Sequence, residues 1–308
     1  MNVTTACPIC DSKQVSEAFR STDYVTSDRF SIQQCGSCSV AFTDPMPGDL
    51  GRYYPSTYRD YKPLVLNTLA AFYRIRARQW SQAFPKPGEA LEVGCGPGIM
   101  LNVLQQLGWK VTGLERTEEA AAVGRRLFGV NVLAAEVEDL PPTRQYDLII
   151  LFQVLEHMPN PVAIVSECAR RLKPGGKIII SVPNFASWQS HFGKAAWLHL
   201  DVPRHLFHFS ARSLEILLKR AGLSNVSADY VSVEHDPYGW VQTILNKFVR
   251  PQNALLRYLM RLDPLTPAAA VSLALGGVLA IPAGIASLAS WTASRGAIIS
   301  VSASAGSE

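Results

Sequence analysis

Four cysteines open the chain in two pairs, Cys7-Pro-Ile-Cys10 and Cys35-Gly-Ser-Cys38, with 24 residues between the pairs. Two thiolates three positions apart can grip one ion from a single turn. Two such turns supply the four sulfurs of a closed, tetrahedral zinc site. Pro8 and Gly36 suit the tight turns this needs. Four protein ligands leave no open coordination position, so the chemistry is structural. A segment of about forty residues buries too little apolar surface to fold unaided, and a metal makes up the deficit. Further on, Ala90-Leu91-Glu92-Val93 reads as a strand, runs into Gly94-Cys95-Gly96-Pro97-Gly98 and passes into a helical pattern over 99–107. Strand, glycine turn and helix let a backbone approach an adenosine-bearing ligand, because a Cβ would block that approach. A second strand over 109–114 ends at Glu115, 21 positions beyond Gly94. That is the reach at which a carboxylate meets ribose hydroxyls. A plain structural turn is the alternative on these residues alone. A nicotinamide fingerprint requires a glycine where Ile99 stands, and Pro97 removes one amide donor from the helix start.

These groups need a frame. With 308 residues, 48% hydrophobic and 18% charged, the chain can fold one α/β domain and a smaller module. The net charge is +4, and residues 1–40 set Lys13, Arg20 and Arg29 against Asp11, Glu17, Asp23 and Asp28. No basic stripe results, so no nucleic acid is expected as a partner. The first ten residues carry neither a basic nor an apolar leader pattern. Cytoplasmic synthesis in a reducing compartment follows as the expectation, in which six cysteines do not mean three disulfides. Turn-forming residues at 44–48 and a Tyr/Pro-rich run over 53–63 precede a helical stretch, 64–84, and Pro85, Pro87 and Gly88 mark a boundary. The organisation read from this is a zinc-ribbon module, 1–43; a linker and leading helix, 44–88; and an α/β domain, 89–308. Within that domain Asn160 can cap a helix whose first residue is Pro161, the run 173–176 stops it, and 177–182 suits a buried parallel strand.

An ordered series of segments then resembles the class I S-adenosylmethionine-dependent methyltransferases, in a bacterial branch with zinc knuckles and a D-x-P-R-H-L stretch. LEVGCGPG (91–98) resembles the first family motif and GLERTEEA (113–120) the second. AEVEDLP (135–141) resembles the segment bracketing the adenine. YDLIILFQVLEHMPNP (146–161) resembles the fourth strand and its loop, and LKPGGKIIISVPN (172–184) the approach to the fifth. The resemblance implies a doubly wound, Rossmann-like sheet of seven strands with the last antiparallel. It implies S-adenosyl-L-methionine as cofactor beside the structural zinc. It places Gly94, Cys95, Gly96 and Gly98 along the methionine and ribose parts, with Glu92 orienting the loop. Glu115 and its neighbour Arg116 fall at the ribose, Glu136 and Val137 near the adenine, and Gln153 near the methionine end. Glu136 stands where the family often has Asp.

Methyl transfer from a sulfonium is an in-line displacement, so the protein mainly positions the acceptor. A base helps when the acceptor must lose a proton. Acceptors in open α/β sheets lie beyond the carboxyl ends of the strands. Glu156-His157 falls there and reads either as an acid–base pair or as a structural loop pair. Quinone O-methyltransferases, to which this loop is similar, can hold a divalent metal near this point with two acids and a histidine; here the earlier acid position is Gln153. A second polar segment, 197–210, contains Asp201, Arg204 and His205 among aromatics, with Ser210 able to cap the next helix. It reads as an acceptor pocket, or as a lid in which Asp201 and Arg204 pair with each other. The catalytic candidates are therefore His157, Glu156, His205, Asp201 and Arg204.

From 264 to 294 no residue is charged. That length reads as membrane-competent. Strands expected over 223–235 and 296–302 would belong to one sheet, so the segment must return to its starting side. Pro267, Gly276, Gly277 and Pro282 suggest a helical hairpin that dips into a bilayer or rests on it. The stretch 240–262, with Lys247, Arg250, Arg257 and Arg261 among apolar residues, reads as an interfacial helix, with Trp240 and Trp291 at headgroup level. A buried helical pair or a dimer interface is the competing reading. The function expected is O-methylation of a small-molecule or lipid-linked acceptor, of sugar or quinone type, by peripheral contact of 240–294 with the inner membrane face. The alternatives are a zinc-ribbon binding protein carrying a silent methyltransferase fold and a nicotinamide-dependent oxidoreductase. The oligomeric state is not legible.

Overall fold

The computed structural model describes residues 6–54 and 63–306; most of the Tyr/Pro-rich run falls outside them. Three apolar runs become the centre of the molecule: β4 (Glu89–Val93), β7 (Tyr146–Phe152) and β8 (Leu172–Pro183). Their residues are buried on both faces, which forces a parallel sheet with helices on each side. Ile149, Leu151, Ile178, Ile180 and Val182 point into one core layer. Leu148, Ile150, Phe152 and Ile179 point into the other, as the two-residue period of a strand requires. Helix α1 (Pro63–Ser81) and α2 (Ile99–Gln106) cover the second layer. α4 (Pro161–Arg170) and α6 (Ala211–Arg220) cover the first.

With β5 (Lys110–Glu115), β6 (Val132–Ala134), β10 (Ser224–Asp229) and β11 (Ile298–Ser304) the sheet has seven strands in the order β10-β11-β8-β7-β4-β5-β6. Only β11 runs against its neighbours; α3 (Glu118–Phe128) follows β5, and the short α5 (Trp188–Gly193) follows β8. The expected architecture is therefore present. The anticipated caps are also formed: Asn160 accepts from the Ala163 amide at 3.1 Å and Ser210 from the Ser213 amide at 3.3 Å. The expected strand at 223–235 is shorter, since β10 ends at Asp229.

At the N-terminus β1 (Val15–Thr22), β2 (Arg29–Cys35) and β3 (Ala41–Asp44) form an antiparallel sheet. Its fourth strand is β9 (Phe207–His208), which comes from the segment after β8. Cys7, Ile9, Cys38, Val40 and Phe42 join the same core as Leu91, Ile149 and Phe209, so the ribbon is packed onto the larger domain.

The apolar segment corrects the expected hairpin. It is one helix, α9 (Pro267–Thr292), continuous through Gly276, Gly277 and Pro282. Pro267 occupies its first position, where a proline fits, and Thr266 caps it by accepting from Ala269 at 3.1 Å. The chain returns differently: α7 (Asp236–Phe248) and α8 (Ala254–Leu259) lead out, and α9 leads back to β11. The stretch 240–262 is accordingly not one interfacial helix. Trp240, Val241, Gln242, Thr243, Leu245 and Asn246 are buried. Arg257 is engaged by Asp263 at 2.6 Å. Trp240 lies in an apolar cluster and Trp291 donates its indole N–H to Asp236 at 2.7 Å, so neither ring is displayed as an anchor.

Candidate active site

The glycine turn closes over the ends of β4 and β5. Gly94, Gly96 and Gly98 all take positive φ, at 68°, 54° and 79°. A side chain at Gly94 would strike Val154 at 2.4 Å, whereas a Cβ on Gly96 would meet nothing within 4 Å. Gly96 thus borders open space where a ligand can approach the backbone. The Gly94 and Cys95 amides both reach the Leu114 carbonyl, at 2.9 and 3.1 Å, and the Gly96 amide donates to Glu115 Oε1 at 2.5 Å. Turn and carboxylate are therefore one unit.

Glu92 lies beneath this loop, buried, with no hydrogen-bond partner at Oε2 among the described residues. Burial, reinforced by the Glu115 charge, holds its carboxyl well above the usual range. Gln153, at the tip of β7, has a φ of 54° and an unpartnered, buried Nε2. Orphaned polar atoms are uncommon in folded chains, and two around one glycine loop fit a polar ligand. Other residues of the expected set face elsewhere. The Cys95 side chain packs with Leu101, Ala121 and Val130, and the Val137 side chain is buried in the main core, so only their backbones can border a ligand. Glu136 pairs with the exposed Arg116 at 3.1 Å beside Glu115.

At the end of β7 the loop carries Glu156 and His157. The segment 197–210 folds onto it, the Leu206 amide donating to the Glu156 carbonyl at 2.8 Å. This brings His205 to His157, with ring centroids 4.7 Å apart. His205 Nδ1 is 2.9 Å from the His199 carbonyl, and His157 Nδ1 is 2.9 Å from the Arg204 carbonyl. A carbonyl can only accept, so in the neutral ring each Nδ1 carries the hydrogen and each Nε2 the lone pair. Ligand atoms of Glu156, His157 and His205 lie within 4.8 Å of one another, close enough to share a proton or to hold a cation. Glu156 is 1% exposed, and neither carboxylate oxygen bonds another described residue. Burial pushes its pKa up to about 8, its own amide opposing and the Asp201 charge adding to the rise. Burial also drives His205 well below the ordinary histidine range, keeping it neutral.

Asp201 and Arg204, expected as catalytic candidates, are built as a clamp. Arg204 is fully buried. Its Nε and Nη2 donate to Asp201 Oδ1 at 2.9 and 2.7 Å, and Nη1 donates to the Tyr53 carbonyl at 2.6 Å. Nη1 also pairs with Asp23 at 2.9 Å, and the guanidinium lies 4.3 Å from the Tyr24 ring centre. This engagement leaves no face of Arg204 for a substrate, and the charge ties the ribbon to the loop that carries His205.

Residues not anticipated gather at the end of β7. Arg76 of α1 forms a buried ion pair with Glu234 and stacks over Phe152 at 5.9 Å. His235 lies 6.3 Å from His199, ring to ring. Burial holds His199 down to about 3, and its Nε2 has no partner among the described residues. His199 carried a signal, being in the polar segment; Arg76, Glu234 and His235 carried none, because only the tertiary fold brings α1 to the end of β10.

The four N-terminal cysteines converge as their spacing implies. Cys7 Sγ is 3.5 Å from Cys38 Sγ, and Cys10 Sγ is 3.6 Å from Cys35 Sγ, with all four ligand atoms within 4.8 Å. That geometry fits a zinc ion bound by four thiolates.

The chain is similar to known methyltransferases. A family model described as a methyltransferase domain matches residues 67–228. A Xanthomonas oryzae pv. oryzae protein named ubiquinone biosynthesis O-methyltransferase is 39% identical over 102 residues, covering 30% of this chain and 42% of that protein. An Idiomarina loihiensis protein of the same name is 35% identical over 109 residues, covering 32% and 45%. The chain spans less than half the length of these curated relatives. Among solved structures, a SAM-dependent methyltransferase from Archaeoglobus fulgidus is similar in fold, with a TM-score of 0.50, 16% identity, and coverage of 76% of this chain and 94% of that one.

Proposed function

Since the chain belongs to the class I S-adenosylmethionine-dependent methyltransferases, we propose that it methylates an oxygen of a small-molecule or lipid-linked acceptor, of sugar or quinone type, at a membrane surface. Bound in the glycine loop, the cofactor supplies a methyl group already activated on a sulfonium. The remaining work falls to the chain's own groups. The Gly96 backbone admits the adenosine half and Glu115 takes the ribose hydroxyls. Glu92 and Gln153 offer their unsatisfied polar atoms to the methionine end. On the acceptor side Glu156 receives the hydroxyl proton as the oxygen attacks, with His157 and His205 walling the place that hydroxyl enters and their Nε2 lone pairs able to take the proton onward. Arg204 positions His205 through the loop and does not touch the acceptor. Cys7, Cys10, Cys35 and Cys38 would hold a structural zinc.

The observation that carries the acceptor assignment is Glu156: a buried carboxyl at the mouth of β7 with both oxygens unpartnered among the described residues, walled by His157 and His205. Oxygen as the accepting atom draws support from the names of the curated relatives. Membrane attachment draws support from α9. It buries Ala269, Ser272, Ala283, Ser287 and Ser290, and presents Val271, Val278, Ile281, Ile285 and Leu288 outward at 51–76% exposure. A helix in water does the reverse, and small residues packed inward with large aliphatics outward suit a lipid-facing surface. The test is mass spectrometry of lipid and sugar extracts from cells with and without the gene. A species lighter by the mass of one methylene in the deletion strain is expected, and identical extracts would overturn the acceptor class.

A further inference from the structure

At the end of α7, the helix on which α9 packs, lies an open groove of about 550 Å³, lined by Phe192, Lys194, Ala196, Lys247, Phe248 and Arg250 among others. Three side chains of the lining are cations and none is an acid. Elsewhere the described arginines and lysines commonly meet carboxylates, yet Lys194, Lys247 and Arg250 enter no ion pair among the described residues. Their placement is nonetheless ordered. Lys247 Nζ lies over the Phe192 ring at 4.6 Å. Arg250 Nη1 donates to the carbonyls of Asn246 and Val249, leaving its other donors for a ligand. Lys194 is held at φ 48° and ψ −121°, a conformation that a residue with a Cβ adopts only when its surroundings impose it. Those surroundings are tight: Gly193, one residue before, would meet Thr243 and Trp197 within 3 Å if it bore a Cβ.

The rim is as telling as the floor. Phe248 is 78% exposed at the end of α7, and Phe192, the other aromatic ring of the lining, is 41% exposed. Cations and bare aromatic side chains lining one groove match an amphiphile whose phosphate meets the cations while its chains stay with the aromatic rim. A soluble phosphate would gain nothing from that rim. The floor also connects to the acceptor side. Asn246 Nδ2 donates to the Ala196 carbonyl at 3.1 Å, and the Leu198 amide donates to Thr243 Oγ1 at 3.1 Å, one residue before His199.

We propose that Lys194, Lys247 and Arg250 form a binding site for the phosphate of an anionic membrane lipid. The site orients the enzyme on the bilayer so that its acceptor pocket faces lipid-borne substrates. This rests on the membrane attachment proposed above, and the experiment separates the two. The full chain is floated with phosphatidylcholine vesicles, and with the same vesicles containing 20 mol% phosphatidylglycerol, at low and high salt. Three proteins are compared: wild type, the triple variant Lys194→Gln/Lys247→Gln/Arg250→Gln, and a variant of α9 with Val278→Ser/Ile281→Ser/Ile285→Ser. The α9 substitutions lie on the exposed face, and thermal unfolding verifies that both variants are folded.

Wild type should prefer the anionic vesicles, and salt should erase the preference. The triple variant should lose roughly 100-fold of that partitioning, about five-fold per cation, while still binding neutral vesicles as wild type does. The α9 variant should lose binding to both. An unchanged preference in the triple variant, or no preference in wild type, overturns the groove and leaves membrane attachment standing. Wild type that floats with neither vesicle overturns both. Equal protection of Lys194 from acetylation by glycerol phosphate and by the anionic vesicles would make free phosphate the ligand, and would overturn the lipid assignment.

Discussion

Replacing Glu156 with Gln isolates the group on which the acceptor chemistry turns. Glu156 is buried with both oxygens unpartnered, and its carboxyl is pushed up to about 8. An unfolded glutamate releases its proton near pH 4.3. Between those two values the folded protein keeps a proton that the unfolded chain has lost. A raised carboxyl pKa therefore makes stability fall as pH rises through the window, by about 1.4 kcal/mol per pH unit and on the order of 5 kcal/mol in all. Below the window the two states are equally protonated and the effect vanishes. Gln has the same shape and is neutral at every pH, so Glu156→Gln should match wild type near pH 4 and melt roughly 5–10 °C higher near pH 9. Other titrating groups are common to both proteins and cancel in the difference. Catalysis should move the opposite way. A positioned base contributes about 10²–10⁴-fold, so kcat should fall at least 100-fold, while calorimetry with S-adenosylhomocysteine shows unchanged affinity. In wild type kcat should climb with pH and level off above about 8. Differential scanning fluorimetry across pH 4–9 and a methyl-transfer assay decide the matter. Parallel pH slopes in the two proteins would show that the carboxyl is not held neutral, and a variant with full kcat would remove Glu156 as the proton acceptor.

The remaining expectations test the other parts of the site. Glu115→Ala should weaken S-adenosylhomocysteine binding about 10–100-fold by calorimetry, the worth of one or two hydrogen bonds to a charged acceptor; equal affinity would remove the ribose assignment. Arg204→Met leaves the buried Asp23 and the partly buried Asp201 without their cation and should cost about 3–5 kcal/mol in urea unfolding, with kcat per folded molecule within a few-fold of wild type. Lost activity at unchanged stability would instead place Arg204 on the acceptor. Wild type should carry one zinc per chain by elemental analysis, and Cys38→Ser should lower that content and expose the ribbon to proteolysis; a metal-free wild type would refute the four-thiolate site.

Local chemistry accounts for what was legible in the chain. Glycines at 94, 96 and 98 announce positive φ whatever the rest of the protein does, and the strand that follows places Glu115 by arithmetic alone. Paired cysteines advertise a shared ion for the same reason. Contacts that depend on where distant segments meet left less trace. Nothing around Asp23 signals that its carboxylate neutralises Arg204, 181 positions later. Nothing in Phe207-His208 says that this dipeptide supplies the last strand of the ribbon sheet. The apolar segment shows the limit most clearly. Its glycines and Pro282 looked like breaks because in water they would be. In the fold a Cβ on Gly276 would make only ordinary contact with Val241 and Leu255, at 3.5 and 3.6 Å, one on Gly277 would meet nothing within 4 Å, and Pro282 is exposed on the helix surface. What seats α9 is instead the set of small side chains at Ala269, Ser272, Ala283, Ser287 and Ser290, which the suspected breakers do not interrupt, and a helix pinned along one side has only its other side to offer to a membrane.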